Sequence, residues 1–272
     1  STDYDKEISS FAQTGMSTSE IYEALVVNDI QKTADQFRTL FEESKKIDGY
    51  VSLEVSPHLA HHTQKTIEEG RYLWKAVARP NLMIKVPATP AGIPAITQLI
   101  SEGINVNVTL MFSIDHYRQV TKAYLKGLES LDKTANFQPV ASVASFFVSR
   151  VDTAVDKLLY QVKEQASTDI VKNICEDLFG KTAIANARLV YQEFKKCFSD
   201  ESFLKFREKG FNVQRPLWAS TSTKNPNYRD VLYVEELIGE NTINTMPLDT
   251  MAAFRSHGRV RSTLENGLEE AM

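Results

Sequence analysis

Short apolar runs alternate along this chain with long stretches of helical pattern. The runs cover residues 50–57, 81–88, 104–110, 140–149, 214–220 and 242–247. Between them apolar residues recur at helical spacing, as in 63–77 and 115–129, and the longest gap, at 155–162 and 169–198, holds more than one helix. Strands that alternate with helices are typical of βαβ units, so the pattern predicts an α/β fold with a parallel sheet.

One face of the first three predicted strands is polar. Glu54 and Lys85 each stand opposite apolar neighbours, while Asn105, Asn107 and Thr109 share a face. Strands covered on both faces of an open sheet are almost wholly apolar. A closed barrel instead puts helices over the apolar face and polar groups at the centre, which predicts a TIM-type (β/α)₈ barrel. An antiparallel sheet with one wetted face would alternate in the same way, but the long helical connections argue against it.

The number of strands falls short of a complete barrel. Six strand–helix units are visible where a (β/α)₈ barrel has eight. The chain opens with Ser1-Thr2-Asp3, which is typical of a helix N-cap, and no strand pattern precedes it. We therefore expect residues 1–272 to form a single barrel domain that lacks its first two strands and its last helix. A naturally short domain is the alternative.

Composition narrows the class of protein. The chain has 272 residues, 42% of them apolar, which suffices for a sizeable core, and a net charge of −4 argues against binding nucleic acid. No apolar run approaches the roughly 20 residues that span a bilayer, and no leader pattern opens the sequence. Two cysteines argue against a disulfide framework or a Cys-based zinc site. We expect a cytoplasmic protein without membrane or nucleic-acid partners and without a metal site.

Lys85 offers the most specific chemistry. A lysine on the inner face of a barrel strand is desolvated, which favours the neutral amine that can attack a carbonyl and form a Schiff base. Glu54, at similar depth on the neighbouring strand, is a candidate for proton transfer. The alternative is a buried structural ion pair between the two. On the third strand, the polar side chains of Asn105, Asn107 and Thr109 are candidates to bind sugar hydroxyls, or they only satisfy Glu54 and Lys85.

Polar groups at the ends of later strands suit a phosphate. The end of the fourth run carries Ser145, Phe147, Ser149 and Arg150, and the planar fork of an arginine binds oxyanions through two hydrogen bonds. Arg150 has an alternative, which is an ion pair with Asp152 or Asp156. The hydroxyl-rich segment 220–224 follows the fifth run, as a phosphate-binding βα loop or as a capped turn.

Several segments resemble the transaldolase family. The runs VSLEVSPHLAHHT, NLMIKVPATPAGIPAI, GINVNVTLMFS and VASVASFFVSRVD occur in the order and spacing of that family, and RPLWASTSTKNP and NTINTMP resemble its larger bacterial and plant-type branch. The resemblance covers nearly the whole chain. It implies a class I aldolase barrel that transfers a dihydroxyacetone unit, in the pentose phosphate pathway, from sedoheptulose 7-phosphate or fructose 6-phosphate to an aldose phosphate. It implies no cofactor, because the iminium is the electron sink.

The resemblance also implies a role for each matching residue. Lys85 matches the Schiff-base lysine, Glu54 the acid that works through a water, and Thr109 the hydroxyl that positions it. Matches to residues that bind or line the substrate site are Asn107, Ser145, Phe147, Arg150 and Ser220. A further phosphate-binding arginine of the family is Ser222 here, and Lys224 is the candidate to replace it, as a point charge rather than a fork.

Two strands and a helix of the family are not visible in the sequence. Its first barrel strand carries an aspartate for proton transfer, and its second carries a substrate-binding asparagine in a TNPT-like run. A C-terminal helix is not visible either. The alternatives are therefore a related Schiff-base aldolase and a non-catalytic barrel remnant that binds sugar phosphates. For any of these functions we expect small sugar phosphates as ligands. A second copy of the chain, in a homo-oligomer, is a further candidate partner.

Overall fold

The computed structural model describes residues 2–133 and 139–271. Within this part of the chain, six strands form one sheet in chain order, and every neighbouring pair is parallel. The strands are β1 (Val51–Glu54), β2 (Leu82–Pro87), β3 (Val106–Met111), β4 (Ser142–Phe147), β5 (Arg215–Ala219) and β6 (Ile243–Asn244). Each lies in a predicted run, although β3 extends one residue beyond its run. The predicted parallel sheet is therefore confirmed.

Helices connect the strands and cover one side of the sheet. They are α1 (Asp5–Gln13), α2 (Thr18–Gln36), α3 (Arg38–Glu43), α4 (Thr63–Val77), α5 (Gly92–Ser101), α6 (Ile114–Leu131), α7 (Ser149–Gln165), α8 (Asp169–Leu178), α9 (Thr182–Cys197), α10 (Asp200–Arg207), α11 (Leu232–Glu236), α12 (Leu248–His257) and α13 (Leu268–Ala271). The predicted helix over 63–77 is α4 with the same bounds, and several helices fill the long gap before β5, as predicted.

The start of α1 differs from the prediction. Its N-cap residue is Tyr4, and no side chain caps the helix there. The predicted cap is therefore wrong for Thr2 and Asp3, and Ser1 lies outside the described residues. Ser17 is a true cap instead, because it forms a capping box with Glu20 at the start of α2.

The two faces of the sheet bury different residues. Leu82, Ile84 and Val86 are completely buried under the helices, in the larger of two apolar clusters. On the other face, Met83 packs in a smaller cluster with Ala141, Val143, Phe147, Leu217 and Ala219. The polar inner face predicted from three strands thus becomes mixed over β4 and β5, where Ser145 and Arg215 also face inwards but lie among packed apolar side chains. The sheet is a curled half-barrel, and it shows six of the eight units of the predicted TIM-type (β/α)₈ fold.

A bulge interrupts β3 near its end. The register with β4 shifts between Val108 and Met111, and Leu110 takes the left-handed conformation with φ 61°. The alternation of polar and apolar residues that predicts the run 104–110 therefore does not continue to its end, because Leu110 packs on the inner cluster while Met111 is buried in the outer one. A left-handed leucine costs about 1–2 kcal/mol, so packing on both sides must hold this backbone in place.

Helices α5 and α6 pack closely at Gly127. A Cβ atom there would lie 2.6 Å from Cγ2 of Ile100 and 3.0 Å from the carbonyl oxygen of Thr97. Ile100 is completely buried and cannot yield. We expect Gly127→Ala to lower the free energy of unfolding by about 1–3 kcal/mol in urea titrations, although alanine favours helix. The control is Gln119→Ala on the exposed side of α6, and an unchanged midpoint for Gly127→Ala would contradict the close packing.

Candidate active site

The inner face of the half-barrel encloses a cavity of about 510 Å³, called the central cavity below. The predicted site residues that line it are Lys85, Asn107, Thr109, Ser145 and Phe147. They come from the three neighbouring parallel strands β2, β3 and β4, and Phe147 is the last residue of β4. Because parallel strands end at the same edge, these side chains converge on the edge where barrel enzymes place their reacting groups.

Lys85 and Glu54 are direct neighbours in the sheet. They occupy paired positions of β2 and β1, and Nζ of Lys85 lies 3.0 Å from Oε2 of Glu54. Their side chains keep 29% and 41% of their surface exposed, so the expected complete desolvation of the lysine does not occur. An ion pair this open contributes about 1 kcal/mol or less, and a buried structural pair is not what the structure contains. The amine is therefore accessible to a small substrate.

Hydrogen bonds orient the amide of Asn107 from two sides. Its Nδ2 donates to Oγ of Ser52 over 3.0 Å, and its Oδ1 accepts from Oγ of Ser145 over 2.7 Å. Asn107 and Ser145 are both buried. The amide keeps a second hydrogen and a second lone pair for a ligand. Asn107 and Ser145 thus form a fixed polar wall beside Lys85. Ser52 was not predicted as a site residue, because its hydrogen bond to Asn107 joins residues that are 55 positions apart in the sequence.

Thr109 has an unsatisfied hydroxyl. The residue is 1% exposed, and its Oγ1 makes no hydrogen bond within the described part of the chain. A buried hydroxyl without a partner costs about 1–3 kcal/mol, so native proteins rarely keep one without a use. Thr109 is therefore free to bond a water or a substrate oxygen in the central cavity.

Arg150 lies at the start of α7, above the ring of Phe147. Its Cζ is 4.8 Å from the ring centroid, and its side chain is exposed. The predicted alternative, an ion pair with Asp152 or Asp156, is absent from the described ion pairs. Both carboxylates are buried and accept hydrogen bonds from other groups, namely from Ala183, Tyr233, Gly180 and Tyr228. Burial also raises the pKa of Asp152, which a neighbouring guanidinium would oppose.

Ser220 and Ser149 join the loop after β5 to the N-terminus of α7. Their Oγ atoms are 2.8 Å apart, and the backbone amide of Ser149 donates to the carbonyl oxygen of Ser220 over 3.0 Å. Ser220 has φ 57°, a strained value for serine. These contacts place the Ser220 hydroxyl beside the helix that carries Arg150. Ser149 was noted at the end of the fourth run but was given no role, although its place directly before Arg150 was a usable signal.

Lys224 lies elsewhere. It lines a second cavity of about 390 Å³ beside α7, together with Asp156 and Tyr228, and its Nζ donates to Oγ of Ser222 over 2.7 Å. Neither Lys224 nor Glu54, Arg150 or Ser220 is among the residues that line the central cavity, but of these four residues only Lys224 lines the second cavity. The loop after β5 therefore brings Ser220 towards the predicted site but carries Lys224 outwards.

The floor of the central cavity contains a cation that the prediction missed. Arg215, at the start of β5, is mostly buried and donates to the carbonyl oxygen of Ile47 and, over 2.8 Å, to Oδ1 of Asp48. Tyr50 lies beside it, and burial raises the pKa of that phenol. An inward-facing arginine in the run 214–220 was the available signal. Because the Arg215 guanidinium is paired with the Asp48 carboxylate, it closes the floor of the central cavity.

Metal and membrane sites are not visible in residues 2–133 and 139–271. No three His, Cys, Asp or Glu side chains there are grouped closely enough to bind a metal ion. None of the helices found there has the length and apolarity of a membrane span.

The fold and the converging polar side chains define an α/β-barrel enzyme with its site at the carboxyl ends of the strands. Comparison with protein families makes this specific. The family model for transaldolase/fructose-6-phosphate aldolase matches residues 1–272. The chain belongs to this family, and it is an enzyme of the transferase class. The resemblance inferred from the motifs is confirmed.

Curated relatives agree over nearly the whole chain. A transaldolase of Trichodesmium erythraeum is 46% identical over 267 residues, which cover 98% of this chain and 70% of the relative. A transaldolase of Saccharopolyspora erythraea is 47% identical over 97% of this chain and 69% of its own length. A transaldolase of Mycolicibacterium smegmatis is 45% identical over 95% and 68%, respectively. The predicted transaldolase-family enzyme is thus confirmed, while the roles of individual residues stay predictions.

Proposed function

We propose that this protein transfers a dihydroxyacetone unit from a ketose phosphate to an aldose phosphate through a Schiff base on Lys85. The observation that carries the proposal is the Lys85 amine 3.0 Å from the Glu54 carboxylate, on adjacent strands and open to the central cavity. The relatives are transaldolases, which supports the reaction class. The donors would be sedoheptulose 7-phosphate or fructose 6-phosphate, as in the pentose phosphate pathway.

Lys85 would act as a nucleophile. Its neutral amine adds to the ketose carbonyl, and loss of water from the carbinolamine leaves an iminium. Cleavage of the C3–C4 bond of the donor sends its electron pair into the iminium and gives an enamine, while the C4 hydroxyl releases its proton to solvent and C4 departs as the carbonyl carbon of an aldehyde. The enamine then adds to the acceptor aldehyde, whose oxygen takes up a proton from solvent, and water releases the product and restores Lys85. No cofactor is needed, because the iminium accepts the electron pair.

Glu54 and Thr109 would move protons in the carbinolamine steps. The Glu54 carboxylate is within hydrogen-bond distance of Lys85 and takes a proton from its ammonium group, which frees the neutral amine for attack. A second proton then passes from the nitrogen of the adduct to its oxygen and gives the carbinolamine, and the proton returned from Glu54 to this hydroxyl makes water the leaving group. The unsatisfied Thr109 hydroxyl holds that oxygen or the intervening water in place. This arrangement gives each of the two groups one task.

The substrate would lie along the wall from Asn107 to Arg150. Asn107 and Ser145 bind hydroxyls of the three-carbon unit, and Phe147 lines the site. Arg150 and Ser220 bind the phosphate at the N-terminus of α7, where backbone amides and the helix dipole favour an anion. Lys224 takes no part in the proposal in its present position, since its amine lies towards the second cavity.

A second candidate reaction is cleavage that releases the three-carbon unit instead of transferring it. The family description, which includes fructose-6-phosphate aldolase, favours it as the alternative. Assays with and without glyceraldehyde 3-phosphate separate the two, because only transfer depends on the acceptor. The cytoplasmic location and the homo-oligomer predicted from the sequence stay predictions.

Borohydride trapping tests the proposal. Incubation with fructose 6-phosphate and borohydride is expected to leave a reduced three-carbon adduct on the peptide that contains Lys85, located by mass spectrometry. Omitting the sugar phosphate is the control for non-specific modification. An adduct on another lysine, or no adduct, would refute the assignment.

A further inference from the structure

Three side chains contact one another in series beside the central cavity, which Phe147 lines. The rings of Phe112 and Phe147 have centroids 5.5 Å apart with their planes inclined by 38°, and the guanidinium of Arg150 lies over Phe147 at 4.8 Å from the ring centroid. Phe112 follows β3, Phe147 ends β4, and Arg150 is in the first turn of α7. These contacts join three separate segments of the chain. We call Phe112, Phe147 and Arg150 together the stack.

The ring of Phe147 is what orients the guanidinium of Arg150. Within the described residues Arg150 has no carboxylate partner, since the two nearest acids along the chain, Asp152 and Asp156, are occupied by backbone amides and tyrosines. A guanidinium prefers the face of an aromatic ring, and the contact leaves its N–H groups free at the edge. Arg150 is therefore held without losing the donors that an oxyanion would need.

Phe112 backs this arrangement. It is 37% exposed, so burial of its own ring does not explain its position. Two features of the backbone place it instead. The bulge at Leu110 turns Met111 outwards and points the next residue to the rim, and Nδ2 of Asn186, from α9, donates to the carbonyl oxygen of Phe112 over 2.9 Å. A strained leucine and a long-range hydrogen bond both maintain this one position.

We propose that Phe112 is a positioning residue for the substrate phosphate. Its ring fixes the ring of Phe147, and Phe147 in turn presents the Arg150 guanidinium, already oriented, to the phosphate dianion. The inference rests on the proposed function, because it takes the phosphate of that reaction as the group bound by Arg150. It adds that affinity for phosphate depends on a residue that need not touch the substrate.

Substitutions at Phe112 test the inference. Phe112→Ala is expected to raise KM for fructose 6-phosphate about threefold to tenfold and to leave kcat and the use of unphosphorylated fructose unchanged. Phe112→Leu, which preserves apolar packing but has no ring, is expected to show the same loss. Phe112→Tyr keeps the ring and is expected to behave as the unaltered protein. The control is Leu158→Ala, a 59% exposed residue of α7 outside the stack.

A double-mutant cycle with Arg150→Ala decides between positioning and a general structural role. If Phe112 acts through Arg150, removing Phe112 has no further effect on KM once Arg150 is gone. An equal loss in both backgrounds, or an equal loss with fructose and fructose 6-phosphate, would overturn the inference. Full activity of Phe112→Leu would overturn it as well.

Titration with inorganic phosphate separates this inference from the proposed function. Its dissociation constant needs no turnover, so it is measured for the unaltered protein and for Phe112→Ala by NMR of the arginine Nε–H groups. Weaker phosphate binding in Phe112→Ala supports the inference even if borohydride traps no adduct on Lys85. No binding by the unaltered protein, or equal binding by both, would overturn the inference whatever the trapping experiment shows.

Discussion

Lys85→Met is expected to lower kcat for three-carbon transfer by about 10³-fold or more and to abolish the borohydride-trapped adduct. Methionine has a similar length but no amine, so it fills the space without the nucleophile. Among the described residues that line the central cavity, Lys85 is the only lysine, and no second amine is placed to replace it. The loss therefore falls on the chemical step, and a comparable loss of substrate affinity is not expected.

Folding should survive this substitution. The Lys85–Glu54 pair is partly exposed, so Glu54 stays hydrated when its partner is removed, and the free energy of unfolding should change by about 1 kcal/mol or less. The matched control is Lys122→Met on the surface of α6, which is expected to keep full activity. Near-normal turnover by folded Lys85→Met protein would move the chemistry to another residue.

The sequence contained enough local information to locate the sheet and the central pair. Alternation places Glu54 and Lys85 on the inner face of successive strands, and a single helical crossover makes those strands neighbours. Both side chains then lie at the same level, as the pairing of β1 with β2 shows. These conclusions depend on the alternation of side chains along each strand and on the order of the strands in the chain, and both can be read from a single sequence.

Features that depend on distant contacts could not be predicted. Leucine has no preference for a left-handed backbone, so the bulge at Leu110 leaves no mark on the sequence, and neither does the outward turn of Met111. The amide that holds Phe112 comes from Asn186, which is 74 residues further along the chain. The rim of the cavity is therefore set by tertiary structure rather than by local pattern.

Arg150 and Lys224 show where the candidate chemistry was ambiguous. Spacing alone allowed Arg150 to face either the cavity rim or the acids on its own helix, and only the buried contacts of Asp152 and Asp156 decide for the rim. Lys224 was assigned by its distance from the end of a strand. Its loop leaves the barrel within four residues of Ser220, and distance along a loop does not fix its direction.

Glu54→Gln is expected to lower kcat by about 10²–10⁴-fold while leaving Lys85 able to form the adduct slowly. Glutamine has the shape of glutamate and still offers an oxygen to the Lys85 amine, so the site geometry is preserved. It cannot accept the proton that the Lys85 ammonium group loses or return it to the carbinolamine hydroxyl. The expected signature is therefore a loss of kcat with little change in KM, together with slower build-up of the trapped adduct in rapid-quench experiments with fructose 6-phosphate.

The same experiment separates proton transfer from simple ion pairing. If Glu54 served only to keep Lys85 charged, its removal would favour the neutral amine and the adduct would form faster, not more slowly. Glu68→Gln is the control, because Glu68 lies on the exposed side of α4, where it accepts a hydrogen bond from Gln64. Faster adduct formation in Glu54→Gln, or normal turnover, would remove Glu54 from the catalytic residues and leave proton transfer to Thr109 and water.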